Sequence, residues 1–139
     1  MSVKIKFNSF EIEKINYENI SAEVDNTTKE AEFNLNISKI KVGLSSNNKM
    51  GKITILGATK NNSNNRTLEL NISYYFEFEY QPNEFEDFIN VRKSLIEEYG
   101  INTSMNMYID MIRQITSMDY NAPVVVNNYT MPGSIKEIS

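Results

Sequence analysis

The chain contains no cysteine, no histidine and no tryptophan, only five glycines and three prolines, and no apolar run near membrane-span length. Each absence removes a class of function. Without His or Cys there is no zinc site of the usual kind, no haem ligand of those types, no Ser-His-Asp or Cys-His pair and no disulfide framework. General acid–base chemistry would rest on carboxylates, lysine or tyrosine. Residues Met1 to Phe7 carry charge where a signal peptide needs an apolar core, so a cytoplasmic location without membrane insertion is expected. Fourteen Lys+Arg against 18 Asp+Glu leave a net charge of −4, which argues against a nucleic-acid partner held by phosphate neutralisation.

What is present suffices for one core. With 139 residues, 40% of them apolar, the chain fits a single domain over 1–139, and no repeat or linker divides it. Asparagine occupies 20 positions, often paired, as in Asn47-Asn48 and Asn61-Asn62. This residue tolerates turn conformations.

The clearest element is a strand over residues 67–80. Leu68, Leu70, Ile72, Tyr74, Phe76, Phe78 and Tyr80 fall on one face, with Thr67, Glu69, Asn71, Ser73, Tyr75, Glu77 and Glu79 on the other. That is the alternation of a half-buried strand. At roughly 3.4 Å per residue it spans about 45 Å, and so long a strand needs partners or leaves a reactive edge. Residues 30–42 supply one partner. Ala31, Phe33, Leu35 and Ile37 point one way, then the parity switches at Ser38-Lys39 to Ile40 and Val42, the mark of a β-bulge. Residues 51–58 form a shorter strand, and Thr59 to Arg66 form a polar turn. Residues 3–24 read as a long, interrupted first strand carrying Val3, Ile5 and Phe7, then Phe10 and Ile12, then Ile15 and Tyr17. The expected topology is a four-stranded antiparallel meander.

Helices follow the strands, which is α+β order. Asn83 with Glu86 three residues later has the spacing of a helix cap and its reciprocal partner. A helix over 84–99 stripes Phe85, Phe88, Ile89, Leu95, Ile96 and Tyr99, with Gly100 as its stop. A second helix over 103–119, capped by Thr103 or Ser104, stripes Met105, Tyr108, Ile109, Ile112, Ile115 and Thr116, with Met107, Met111 and Met118 beside them. Pro123 ends the helical region, Val124 to Val126 continue extended, and Pro132-Gly133 turns into a short tail. The fold class is therefore α+β, with helices packed on one face of the sheet.

Catalytic candidates reduce to the carboxylate pairs Glu11/Glu13, Glu77/Glu79 and Glu97/Glu98. Nothing in their spacing implies the cleft that paired carboxylates need for acid–base work. Asp25-Asn26 lacks the spacing of a calcium loop, and Gly51-Lys52 lacks the rest of a phosphate loop. No catalytic, metal or cofactor site is expected, and the chain reads as a non-enzyme. Methionine is more informative, because Met105, Met107, Met111, Met118 and Met131 crowd the C-terminal quarter. Flexible thioethers suit surfaces that repack around varied apolar partners. Phe85, Phe88, Met105, Met107, Met111 and Met118 are accordingly the candidate peptide-binding residues. Apolar area beyond what one subunit hides implies self-association or capture of apolar ligands.

The order of elements resembles the SecB export-chaperone superfamily. The similarity runs through the alternating strand to Tyr80, then Glu97 to Asn102, then Ile112-Arg113-Gln114-Ile115-Thr116, and finally Ala122-Pro123 with Val124 to Val126. Ile115-Thr116 and Ala122-Pro123 stand where family members carry a Leu-Thr or similar pair and a Pro-Pro turn before an apolar run. The resemblance implies an ATP-independent chaperone that binds non-native polypeptides in apolar grooves as a homodimer or homotetramer. The alternative on the same fold is an assembly module for one specific protein partner.

Overall fold

The structure, a computed structural model, describes residues 3–19, 32–61, 66–118, 125–130 and 136–138. Ala31, residues 20–24 of the first strand, Ala122-Pro123-Val124, Met131 and Pro132-Gly133 lie outside the described residues. Four antiparallel strands, β1 (Lys4–Asn19), β2 (Glu32–Leu44), β3 (Met50–Asn61) and β4 (Arg66–Glu79), make the body of one sheet. After them come a 3₁₀ turn (Pro82–Glu84), helix α1 (Phe85–Ser94), a π-helical turn (Leu95–Gly100) and helix α2 (Ile101–Ser117). Strands β5 (Val125–Thr130) and β6 (Lys136–Ile138) both run parallel to β2 along its outer edge.

The neighbour order β1-β4-β3-β2 corrects the expected meander: β1 lies beside β4, not β2. The pairing joins the two longest strands, 16 and 14 residues, so each supplies the partner that the other's length demands. Residues 20–31 between β1 and β2 are too many for a tight hairpin, which takes about two to five. The strand limits also shift. β3 continues through Thr59, Lys60 and Asn61, which alternation alone had assigned to the turn. Its end is tied to β4 by Asn61 Oδ1, which accepts from the Arg66 N–H at 3.2 Å.

All three parity switches are bulges. Register shifts fall between Phe7 and Ser9, between Ile12 and Lys14, and between Ile37 and Lys39. Each adds one residue to one strand, which otherwise would turn every later side chain to the wrong face. The outcome is a common apolar face. Phe33, Leu35, Ile37, Ile40 and Val42 of β2, Ile53 and Ile55 of β3, and Leu68, Leu70, Ile72, Tyr74, Phe76 and Phe78 of β4 are all buried on it. Opposite lies a polar face. There Ser73 Oγ bonds Thr54 Oγ1 at 2.8 Å and also donates to the carboxylate of Glu13, the residue of the second β1 bulge. Lys52 Nζ stands 3.6 Å from the same carboxylate.

The helical region departs from expectation at both landmarks. The cap lies two residues earlier than Asn83/Glu86, since the Gln81 N–H donates to Glu84 Oε1 at 2.8 Å. Gly100 does not stop a helix. Its φ of −63° and ψ of −48° are helical, and the Ile101 N–H reaches back five residues to the Ile96 carbonyl. The π turn leaves carbonyls poorly served, and the Asn102 side-chain amide donates to the Glu98 carbonyl at 2.6 Å. Glycine at 100 permits close packing: a Cβ there would stand 2.7 Å from Ile53 Cδ1, so the tip of that side chain would have to shift. Ser104, a candidate cap, is instead buried on the inner face of α2 with Ile101, Met105, Tyr108, Ile112 and Thr116.

Candidate functional site

Helix α2 is seated on the sheet by Tyr108. Its buried hydroxyl donates to the Leu70 carbonyl at 2.8 Å, and it fits only because position 57 carries no side chain, since a Cβ on Gly57 would collide with it. The helix packs against β3, β4 and β5, while the π turn contacts β1. The inner-face residues of β1 therefore share the core's face but are not roofed like it. Phe7, Phe10, Ile12 and Ile15 are all exposed, although they pair with the buried Phe76, Tyr74, Ile72 and Leu70.

Between this strand and the helix runs a cleft of about 320 Å³ lined by Phe7, Phe10, Tyr74, Met107, Asp110, Met111 and Gln114. The helical wall is one face of α2 at three- and four-residue spacing. Phe10 and Tyr74 meet with ring centroids 6.3 Å apart. Phe7 sits edge-on to Phe76 at 5.9 Å, and Phe76 in turn to the exposed Tyr99 of the π turn at 6.4 Å. An aromatic and aliphatic row thus extends from Tyr99 through Phe7 and Phe10 to Ile12 and Ile15. From Phe7 to Ile15 the row runs alongside β4 from Phe76 to Leu70, six strand steps or about 20 Å, the length of six or seven extended residues. Among the described lining residues Asp110 alone is charged, and its carboxylate stands 3.2 Å from Arg113 Nη1.

Tyr74 is the exception in that row. It is 2% exposed, and its hydroxyl has no hydrogen-bond partner among the described residues. Burial pushes its phenol well above the ordinary tyrosine range, and does the same to Tyr108, with a smaller contribution from the nearby Tyr74. In both, burial favours the neutral phenol.

The expected peptide-binding residues separate into two sets. Met107 and Met111 line the cleft, Met118 is 81% exposed at the end of α2, and Phe85 is exposed on α1. Phe88 and Met105 are corrected to core positions. Phe88 stacks on Tyr80, centroids 4.6 Å apart and planes within 9°, and meets Phe78 at 5.0 Å. Met105 lies under α2 in the main cluster. Helical periodicity puts a residue on a stripe without saying which part of the stripe faces the sheet. Phe7, Phe10, Tyr74, Asp110 and Gln114 went unread as site residues. The signal available was the parity switches of β1, which keep all its apolar residues on one side.

The carboxylate pairs take other places. Lys6 Nζ bonds Glu79 at 2.6 Å and stands 3.7 Å from Glu77. The hydrogen bond from Lys6 and its charge hold Glu79 below the usual range, and raise Lys6 correspondingly. Glu97 and Glu98 are exposed on the π turn. Among the described residues no three acidic side chains gather as a metal-binding group, and no helix is long and apolar enough to cross a membrane. A larger hollow of about 430 Å³ lies across one end of the sheet, where Asn16, Asn34, Asn36, Lys60 and Glu69 give it a polar lining.

No protein-family model and no curated protein sequence matches the chain. The antiparallel four-stranded sheet with its C-terminal helix packed against one face defines a SecB-like fold. The Mycobacterium tuberculosis Rv1957 SecB-like chaperone, solved in complex with a ChAD peptide from the Rv1956 HigA1 antitoxin, aligns with a TM-score of 0.53 over 88% of this chain and 86% of its own. Sequence identity is 9%, so the likeness is one of fold.

Proposed function

We propose that this chain is an ATP-independent chaperone that holds extended, non-native polypeptide segments in the cleft between β1 and α2 and along the open face of β1. The observation that carries this reading is the row of exposed Phe7, Phe10, Ile12 and Ile15 continuous with a cleft walled by Met107 and Met111. Large apolar side chains in contact with water are costly unless something covers them part of the time. Burial of each contributes roughly 1.5–3 kcal/mol, so covering these four together with two or three client side chains gains about 10–20 kcal/mol, enough for micromolar affinity after ordering costs of about 4–10 kcal/mol. A polypeptide fits the length of the row, and the SecB-like neighbour was solved with a peptide bound. The carboxylate pairs are engaged by lysine or on solvated faces, which supports binding without catalysis and without a cofactor. The exposed edge of β1 also suits association of copies into homodimers or homotetramers.

The test is suppression of aggregation of a chemically denatured model client, with light scattering on the chaperone alone to measure its mass. Suppression near stoichiometric ratios is expected. None at several-fold excess would refute the reading. A second reading, service to one dedicated protein partner, draws support from the small volume of the cleft. It predicts one saturable, tight complex and no protection of unrelated clients.

A further inference from the structure

We propose that Met107 and Met111 form a reversible oxidation site on the helical wall of the cleft, where a hydroperoxide converts both thioethers to sulfoxides and weakens the hold on bound polypeptide. This rests on the reading of the cleft as a polypeptide site and adds its regulation. The chain has no cysteine, so methionine carries all of its sulfur. Four of the seven methionines lie on α2 and its C-terminal cap, and their exposure is graded. Met105 is 7% exposed beneath the helix, Met107 and Met111 are half-buried at the cleft, and Met118 is 81% exposed outside it. The buried face of α2 otherwise takes its apolar residues from Ile101, Tyr108 and Ile112. The helical wall of the cleft is made by Met107, Asp110, Met111 and Gln114. Two of these four are polar, so the apolar character of that wall rests on methionine alone.

Oxidation at this place has a defined consequence. The sulfur lone pair attacks one oxygen of the hydroperoxide, the S–O bond forms as the O–O bond breaks, and the other oxygen leaves as water or an alcohol after proton transfer. Sulfur gives two electrons to the peroxide. A polar, chiral side chain then stands in place of a flexible apolar one. Such a group holds water where the apolar side chains of a client would sit, opposite Phe7 and Phe10. Residues 107 and 111 are one helical turn apart, so both oxygens are added to the same wall. Met105 is kept out of the reaction while the fold holds, because it is buried in the main cluster. Thiol-dependent sulfoxide reductases, one for each epimer, return the thioether and make the change reversible.

The experiment treats the full chain with hydrogen peroxide, removes the excess with catalase and reads each methionine by peptide mass spectrometry. Met107, Met111 and Met118 should oxidise well before Met105, in the order of exposure. The binding probe is a fluorescein-labelled peptide with a centre of Leu, Val and Phe flanked by lysines, which has no sulfur of its own. Anisotropy titration should show the oxidised chain binding it about tenfold to a hundredfold more weakly, the effect of one buried apolar side chain lost. The two sulfoxide reductases with dithiothreitol should restore the parent affinity. The double variant Met107→Leu/Met111→Leu should bind the peptide and keep its affinity through peroxide treatment, while Met118→Leu should stay as sensitive as the parent. Circular dichroism and urea unfolding should show the oxidised chain still folded. Oxidation of Met107 and Met111 only as slow as that of Met105, equal affinity of oxidised and untreated parent, or undiminished sensitivity in the double variant overturns the inference and leaves the cleft reading intact. So does unfolding on oxidation, which would make the loss one of structure. Failure of the untreated parent to bind the peptide overturns the cleft reading, and this inference with it.

Discussion

Three isoleucines stand side by side across the sheet: Ile12 of β1, Ile72 of β4 and Ile55 of β3 occupy paired positions. Ile55 and Ile72 are fully buried, whereas Ile12 is 40% exposed. One row further along, Ile15 is 50% exposed beside the fully buried Leu70. The residue types do not differ between the two sides of β4. What differs is the roof, since α2 covers β3 and β4 and turns toward β5, while β1 meets the π turn and keeps Phe7, Phe10, Ile12 and Ile15 exposed. The same chemistry therefore builds a core on one side and a binding surface on the other, and the line between them follows one helix.

The largest expected break in that contrast comes from truncation. Ile55→Ala should cost about 2–5 kcal/mol in urea unfolding, whereas Ile12→Ala should cost about 1 kcal/mol or less, since much of its surface already meets water. Equal losses would show that β1 is covered in solution. Next, Gly57→Ala should destabilise by about 1–3 kcal/mol, because its Cβ meets the Tyr108 hydroxyl and comes within 3.1 Å of Ile37 Cδ1. Loss of α2 docking in the same variant should appear as increased binding of an apolar-surface dye. Phe10→Ser should scarcely change the unfolding midpoint but weaken client binding at least about tenfold, the effect of one lost aromatic contact. An unchanged affinity would move the site elsewhere. The smallest effect belongs to the polar face. Lys6→Ala should leave the thermal midpoint unchanged at neutral pH, since both side chains of the pair with Glu79 are about half exposed and screened by water. Because Glu79 is held below its ordinary range, whatever the pair contributes is present at neutral pH and fades only in acid, as pH falls through that lowered value.

Much of this arrangement was legible in the residues. The alternation from Leu68 to Phe78 names the inner face of β4 without error, and the parity breaks after Phe7, Ile12 and Ile37 mark all three bulges, because side-chain period is a local property of the chain. Neighbour relations are not local. Nothing in the sequence near Lys4 says that β1 lies against β4, and with the wrong neighbour the exposed face of β1 was invisible. Gly100 shows the limit differently: glycine is a helix stop by propensity, but here it clears space for Ile53, a contact 47 positions away in the chain. Phe88 and Met105 were misplaced for a related reason. Periodicity orients a helix only relative to itself, and the sheet beneath decides which stripe is covered.

The π turn between α1 and α2 makes the seating of the whole helical arm a matter of counting. Its i-to-i+5 step lets Ile96 and Ile101 face the sheet together, whereas in regular α-helix residues five apart differ by about 140°. Rewound as regular α-helix with every residue kept, the turn would swing everything upstream by about 140° against α2, whereas deletion of one residue with that rewinding would leave Ile96 and Ile101 four steps, about 40°, apart. The full swing would pull the stack of Phe88 on Tyr80 apart with no apolar side chain removed. The arm behaves as a dial with one correct setting, and the residue accommodated in the wide turn selects it.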